Sequence, residues 1–202
     1  MLPAVLGSLG WKHFSLDARL CCLLIWFIFL NGAIAFVWEL VYGPNMPFFH
    51  LYILVEGVLL MRIFASLLNP FIARKAVYAA AVIFVIIWTI NVLFFDGITG
   101  YPTYILAIKG ITLIILAVSW FAKVLREKKI LHPEKLFAFW LSTGVLIFFS
   151  GNMLLFIFSN FIFTSQRHVY LAIWGTHAIL VILLYILYTI AFIWARKNPT
   201  SS

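Results

Sequence analysis

Charged side chains are scarce in this 202-residue chain: 10% of the residues are Asp, Glu, Lys or Arg, whereas 65% are hydrophobic. A soluble domain has roughly 25% charged and about 45–50% apolar residues, so this composition does not suit a water-exposed surface. Lipid is therefore the expected solvent for most of the chain. The few charges are also unbalanced, with 14 Lys and Arg against six Asp and Glu. In a membrane protein this excess is typical of cytoplasmic loops, and we predict no nucleic-acid partner.

Cysteine and catalytic motifs are equally scarce. The two cysteines, Cys21 and Cys22, are adjacent in the sequence, so they do not readily bridge each other, and no Cys/His cluster accompanies them. No P-loop, GxSxG, HExxH or GxGxxG sequence stands in a supporting context. We therefore predict no metal site and no cofactor, and the sequence leaves open whether the chain is an enzyme.

Six long apolar stretches are separated by short polar breaks. Each reaches about the 20 residues that cross a hydrocarbon core, and each is continuous rather than alternating, which favours helices over a β-barrel. We predict one all-α integral membrane domain over residues 1–202, a polytopic transmembrane helix bundle with spans at about 20–42, 48–68, 73–95, 103–122, 136–161 and 169–195. Residues 1–11 are apolar but too short to span, and they do not resemble a signal peptide. We expect them to form a half-helix or the remnant of a truncated seventh helix.

The distribution of Lys and Arg predicts the orientation. With the N-terminal segment in the cytoplasm, Arg167 alone lies outside, and the cytoplasmic side carries Lys12, Arg19, Arg74, Lys75, Lys123, Arg126, Lys128, Lys129, Lys135, Arg196 and Lys197. This bias predicts a cytoplasmic C-terminus and outward loops at 43–47, 96–102 and 162–168.

Polar side chains within the spans fall at a similar depth, in the outer half of the predicted bilayer. Each would be unfavourable by several kcal/mol in lipid unless it is paired or meets water. Arg62 is the exception, because its long side chain is expected to reach the cytoplasmic interface. We therefore predict an outward-facing polar cavity that is formed by Glu56, His177, Lys109, Tyr52, His50, Asn152, Glu39 and Asn91.

Helical geometry refines this cavity. Tyr52 and Glu56 are four residues apart and share a helix face, whereas His50 lies about 120° around the helix from Glu56. Glu56 is expected either to act on a ligand or to form a structural pair with Lys109 or His177. A further set of small residues, Thr143, Gly144, Ser150 and Gly151, recurs seven apart and predicts a close-packing seam for a neighbouring helix.

Three segments together resemble a group of small uncharacterised integral membrane proteins that is common in Bacteroidetes: FHLYILVEGVLL (49–60), FAFWLSTGVLIFFSGNMLLFIFSN (137–160) and IWGTHAIL (173–180). Those proteins resemble seven-helix bundles with a His–x–Tyr–x3–Glu pattern and a Trp–x2–His pattern. In this chain the patterns fall on His50, Tyr52 and Glu56, and on Trp174 and His177. The resemblance implies a bacterial inner membrane and supports the helical architecture, but it implies no activity.

Functions of different classes remain open at this stage. The first is a small-molecule or lipid-sensing and binding module that takes an amphipathic molecule from the outer leaflet or periplasm. It would be surrounded by membrane lipids, with a cytoplasmic signalling partner at the basic loop 123–135. The alternative is an intramembrane lipid-modifying enzyme that uses Glu56 as general acid or base and His177 as its partner. A small transporter is the third possibility. The lack of a nucleophile or metal set favours the first.

Overall fold

The computed structural model describes residues 2–127, 131–163 and 167–198, and within these ranges the chain is helical with no strand. The helices are α1 (Leu2–Gly10), α2 (Leu16–Tyr42), α3 (Met46–Leu67), α4 (Arg74–Phe94), α5 (Thr103–Glu127), α6 (Phe137–Phe163) and α7 (Arg167–Lys197), with short 3-10 turns at Trp11–His13 and Pro133–Lys135. Each of the six predicted spans coincides with one long helix, which confirms the all-α class for the described residues.

Five helices are long and apolar enough to cross a membrane: Leu16–Tyr42, Met46–Leu67, Arg74–Phe94, Thr103–Glu127 and Leu171–Lys197. A shorter apolar helical segment covers Phe137–Met153 in α6. The chain is therefore an apolar helical bundle of the kind that is embedded in membranes. Six full spans stay a prediction.

Local sequence signals explain several helix boundaries. Ser15 caps α2, where its hydroxyl accepts a hydrogen bond from the backbone N–H of Ala18 at 3.4 Å. Gly43 ends α2 with φ 96°, a backbone conformation that favours glycine, and its N–H donates to the Glu39 carbonyl. Pro47 stands in the first turn of α3, where the missing N–H leaves no hydrogen bond unmade.

The helices form a ring that a short helix closes at one end. Helix α3 packs against α2, α4 and α5; α6 packs against α5 and α7; α1 packs against both α2 and α7. The two glycines of the predicted seam on α6 face α7, because a Cβ built on Gly151 would come within 2.8 Å of Leu180 and one on Gly144 within 3.1 Å of Leu184. Small residues at these positions therefore let the two helices approach closely.

The two ends of the bundle differ in charge and in their contacts. At one end, which we call the basic end (12–19, 67–74, 123–127, 131–135 and 196–198), Lys123 Nζ donates to the Leu67 carbonyl at 2.7 Å. There too, Asn198 donates to the Lys135 carbonyl. At the opposite end, a ring nitrogen of His50 lies 2.9 Å from the Gly100 carbonyl. That the basic end faces the cytoplasm stays a prediction.

Candidate functional site

A cavity of about 120 Å³, the inner cavity, lies inside the bundle between α2, α3, α5, α6 and α7. Most of its wall is aliphatic or aromatic. Its ionisable lining side chains are Tyr52, Glu56, Tyr101, Lys109, His177, Tyr185 and Tyr188.

A buried ion pair forms part of this wall. Lys109 Nζ lies 2.5 Å from Glu56 Oε2, and the Tyr52 hydroxyl donates to Glu56 Oε1 at 2.8 Å. The side chains of Lys109 and Glu56 are 2% and 4% exposed. The ammonium also lies 5.0 Å from the ring centroid of Tyr52 and 5.5 Å from that of Phe149, where the ring faces stabilise its charge. The two opposite charges therefore compensate each other within an apolar surrounding, and of the two expected partners of Glu56 the structure has Lys109.

Gly57 makes room for this arrangement on α3. A Cβ built on Gly57 would lie 2.7 Å from Phe84 Cε1 and 3.5 Å from Lys109 Cδ. Phe84 is 2% exposed, so its ring has little space into which it can move. The residue next to Glu56 thus permits the close approach of α4 and of the lysine stem.

A second polar group on the wall is His177, whose ring is oriented from behind by Asn152. Asn152 Nδ2 donates to the Phe148 carbonyl at 2.8 Å, so its Oδ1 is the acceptor that lies 2.7 Å from His177 Nδ1. Nδ1 therefore carries a proton, and in the neutral imidazole Nε2 is left as an acceptor. Because His177 lines the inner cavity, this second nitrogen is the one available to a ligand.

A larger and more open space of about 470 Å³, the vestibule, adjoins the inner cavity. One face of α2 lines it with Ile28, Asn31, Gly32 and Ala35. The two spaces share an aromatic neck, which consists of Phe49, Tyr52, Tyr101, Trp174 and His177. Within the neck, the ring of Phe49 stacks on Tyr52 and Tyr101 at centroid distances of 6.0 and 5.6 Å. A molecule in the vestibule therefore meets the neck before it reaches the ion pair.

The structure brings together five of the eight residues that the sequence indicated. Tyr52, Glu56, Lys109 and His177 line the inner cavity, and Asn152 binds His177 from behind. Each of these lies on the inward face of its helix.

The other three lie elsewhere, which corrects the predicted cavity. His50 is fully buried against the Gly100 carbonyl, as its angle from Glu56 indicated. Glu39 accepts a hydrogen bond from Asn45 at 2.9 Å, and Asn91 donates to Asp96 at 3.0 Å. None of the three lines the inner cavity or the vestibule, because each forms its hydrogen bond with a residue in a segment that connects two helices. Arg62, expected to lie outside the cavity, is placed over the Tyr78 ring.

Two further tyrosines line the inner cavity in addition to the residues that the sequence indicated. Tyr185 and Tyr188 lie eight and eleven residues after His177 on α7, spacings that repeat on one helix face. That spacing was readable from the sequence. Tyrosine in an apolar helix is, however, commonly an interfacial residue, so the pattern alone did not distinguish the two roles.

The described part of the basic loop 123–135 contacts the helical bundle. Lys123 caps the end of α3, and the Arg126 guanidinium lies 5.7 Å from the Phe71 ring centroid. Residues 128–130 lie outside the described residues. Among the residues that the structure describes, no group of His, Cys, Asp and Glu could hold a metal ion.

Fold and site together define a helical bundle of membrane type whose inner cavity contains a compensated ion pair. No protein-family model, no curated protein and no solved structure matches the chain. The geometry of the cavity therefore carries the functional argument.

Proposed function

We propose that this chain is an integral membrane protein that binds a small amphipathic molecule, as a sensing or binding module. The observation that carries the proposal is the continuous lining of vestibule, aromatic neck and inner cavity, which ends at the Glu56–Lys109 pair. Apolar walls with a few converging polar groups are the usual composition of a small-molecule site.

The ion pair itself supports a functional role for the cavity. A buried pair is often no more stabilising than well-packed apolar side chains of similar volume, so stability alone does not explain its presence. Ionisable groups within apolar spans typically mark ligand or ion sites. Here the pair lines a cavity rather than a filled core, which supports ligand binding.

The geometry favours binding over the two alternatives. Both oxygens of Glu56 are engaged, one by Tyr52 and one by Lys109, so the carboxylate is a poor general base in this arrangement. A transporter typically has spans that are broken near the middle of the membrane. Helices α2 to α5, by contrast, run without interruption.

The setting of the site follows from the same proposal. With the basic end in the cytoplasm, the vestibule opens toward the outer leaflet, and a bacterial inner membrane agrees with the proposed membership in the Bacteroidetes group. A signalling partner would contact the loop 123–135 at the cytoplasmic side. Lys123 and Arg126 contact the bundle at Leu67 and Phe71. A change in helix packing would therefore shift the beginning of that loop.

Filling the inner cavity should abolish binding. Val181 lines the cavity, so Val181→Phe would occupy the space of a ligand. The matched control is Ile179→Phe on the same helix, since Ile179 is 67% exposed on the outer surface. We expect native mass spectrometry of the chain, released from its own membranes in mild detergent, to show a bound small molecule. It should be retained by Ile179→Phe and lost from Val181→Phe.

Two results would contradict the proposal. One is a wild-type chain that carries no bound mass beyond detergent. The other is a Val181→Phe variant that retains the same molecule in the same proportion as the wild type, because the inner cavity would then not be the site.

A further inference from the structure

We infer that the ligand is a neutral, hydroxyl-bearing, single-chain amphiphile that reaches the cavity sideways from the bilayer, through a gap between α2 and α7. This inference rests on the proposed function, since it names the class of molecule and its route. The gap supports the route, the apolar walls support a ligand with an apolar chain, and the charge of the inner cavity supports a neutral head.

The gap results from the short helix α1. Helix α1 packs against both α2 and α7 at the basic end, where Gly7 lies close to Cys22 and Phe192, and Trp26 donates to Ser8 at 2.9 Å. Helices α2 and α7 make no extensive contact with each other in the described chain. Past Trp26, α1 no longer reaches between them, and the vestibule occupies the space.

A glycine of α2 shows that the space at the vestibule is open. A Cβ built on Gly32, which lines the vestibule, would meet nothing within 4 Å. The outer surfaces of α2 and α7 are apolar and exposed, as at Ile34 and Ile179. In a membrane-embedded bundle, lipid tails would therefore lie directly beside this gap.

The vestibule suits an apolar chain, whereas the inner cavity suits a polar head. Most of the vestibule wall is apolar, and the amide nitrogens of its two asparagines, Asn31 and Asn45, already donate within the protein. His177 of the neck shares one face of α7 with Tyr185 and Tyr188, which lie beyond the neck in the inner cavity. Among the described residues, neither tyrosine hydroxyl has a hydrogen-bond partner, so both remain to bind a ligand. A head of several atoms fits there, with its chain in the vestibule and the gap.

The charge of the inner cavity selects a neutral head. Glu56 and Lys109 compensate each other, and Asn152 holds His177 with a proton on Nδ1. Because Glu56 and Lys109 already pair with each other, a charged headgroup would find no free opposite charge in this apolar surrounding. Its burial there would be strongly unfavourable. A hydroxyl group can both donate to the Nε2 acceptor of His177 and exchange hydrogen bonds with the tyrosine hydroxyls. A monoacylglycerol has this chemistry.

Photolabelling in bilayers tests the route and the head together. The full chain is placed in phosphatidylcholine nanodiscs with an acylglycerol that carries a diazirine on its chain, and labelled residues are mapped by mass spectrometry. Unlabelled 1-oleoylglycerol, oleate and oleylamine serve as competitors with equal chains. We expect labelling on vestibule-lining residues of α2 and α7. 1-Oleoylglycerol should suppress it at a concentration at least about tenfold lower than either charged competitor, the equivalent of about 1.4 kcal/mol.

A glycine pair provides the matched variants for the route. Gly32→Phe places a ring in the vestibule, whereas Gly175→Phe makes the same substitution in open space away from the cavity lining. We expect Gly32→Phe to lower labelling at least about tenfold and Gly175→Phe to leave it within about twofold. Ala35→Phe, at another vestibule-lining position of α2, is the second blocking variant should Gly32→Phe not fold.

The outcomes separate this inference from the proposed function. If Val181→Phe prevents labelling but neither Gly32→Phe nor Ala35→Phe lowers it, the cavity binds the amphiphile and the sideways route is wrong. If oleate or oleylamine competes as well as 1-oleoylglycerol, the neutral head is wrong. If labelling persists unchanged in Val181→Phe, the proposed function itself fails.

Discussion

Glu56→Gln and Lys109→Met should each lower the free energy of unfolding by about 3–5 kcal/mol, while the double substitution lowers it by clearly less than their sum. The physical reason is the pair itself. Each single substitution leaves one buried charge without its partner at a site where both side chains are almost fully enclosed. The double substitution removes both charges, and an apolar chain then lies beside a neutral amide. Unfolding in detergent by heat or denaturant, followed by circular dichroism, gives the four free energies.

The control for this cycle combines Lys109→Met with Glu39→Gln. Glu39 is exposed and bound to Asn45, far from the ion pair along the chain and in a different contact network. These two effects should add within about 0.5 kcal/mol. If the effects of Glu56→Gln and Lys109→Met added equally well, the two charges would not compensate each other. The electrostatic argument for a neutral ligand would then be wrong.

Gly57→Leu should destabilise the bundle by about 1–3 kcal/mol, the usual effect of forcing a larger side chain into a packed interior. The Cβ alone would approach Phe84 to 2.7 Å, and the branched leucine would extend further into the space between α3 and α4. Phe84 is buried, so its ring moves only if its neighbours move as well. The same displacement would disturb Lys109, whose stem passes close to the position of the new Cβ.

Gly175→Leu is the matched control for this substitution, because a side chain there meets open space and propensity favours leucine over glycine in a helix. We expect its unfolding temperature to equal or slightly exceed that of the wild type. If Gly57→Leu were as stable as Gly175→Leu, α3 and α4 would not be in the close contact that the structure shows.

The sequence predicted the helix positions well, because they follow from the length of the apolar runs. The Tyr52–Glu56 hydrogen bond also followed from the sequence, since residues four apart in one helix always share a face. The direction in which each polar side chain points was harder to predict. What Asn91 and His50 face depends on where the 96–102 segment lies, and no local pattern determines that.

The position of α1 between α2 and α7 could not be predicted from the sequence, for a similar reason. The apolar residues 1–11 predict a half-helix or the remnant of a longer one, and the structure has a short helix at Leu2–Gly10. That this helix lies between α2 and α7 depends on contacts between residues such as Gly7 and Phe192, which are far apart in the chain. The gap beside the vestibule is therefore a property of tertiary packing.

The most direct test of the central claim is a structure of the chain determined in a bilayer of its native lipids, with the map inspected beside Glu56. We predict elongated density that begins at His177 and Tyr185, passes the aromatic neck and continues through the vestibule to the gap between α2 and α7. An inner cavity that is filled by side chains, or that contains only separate water peaks, would contradict the account.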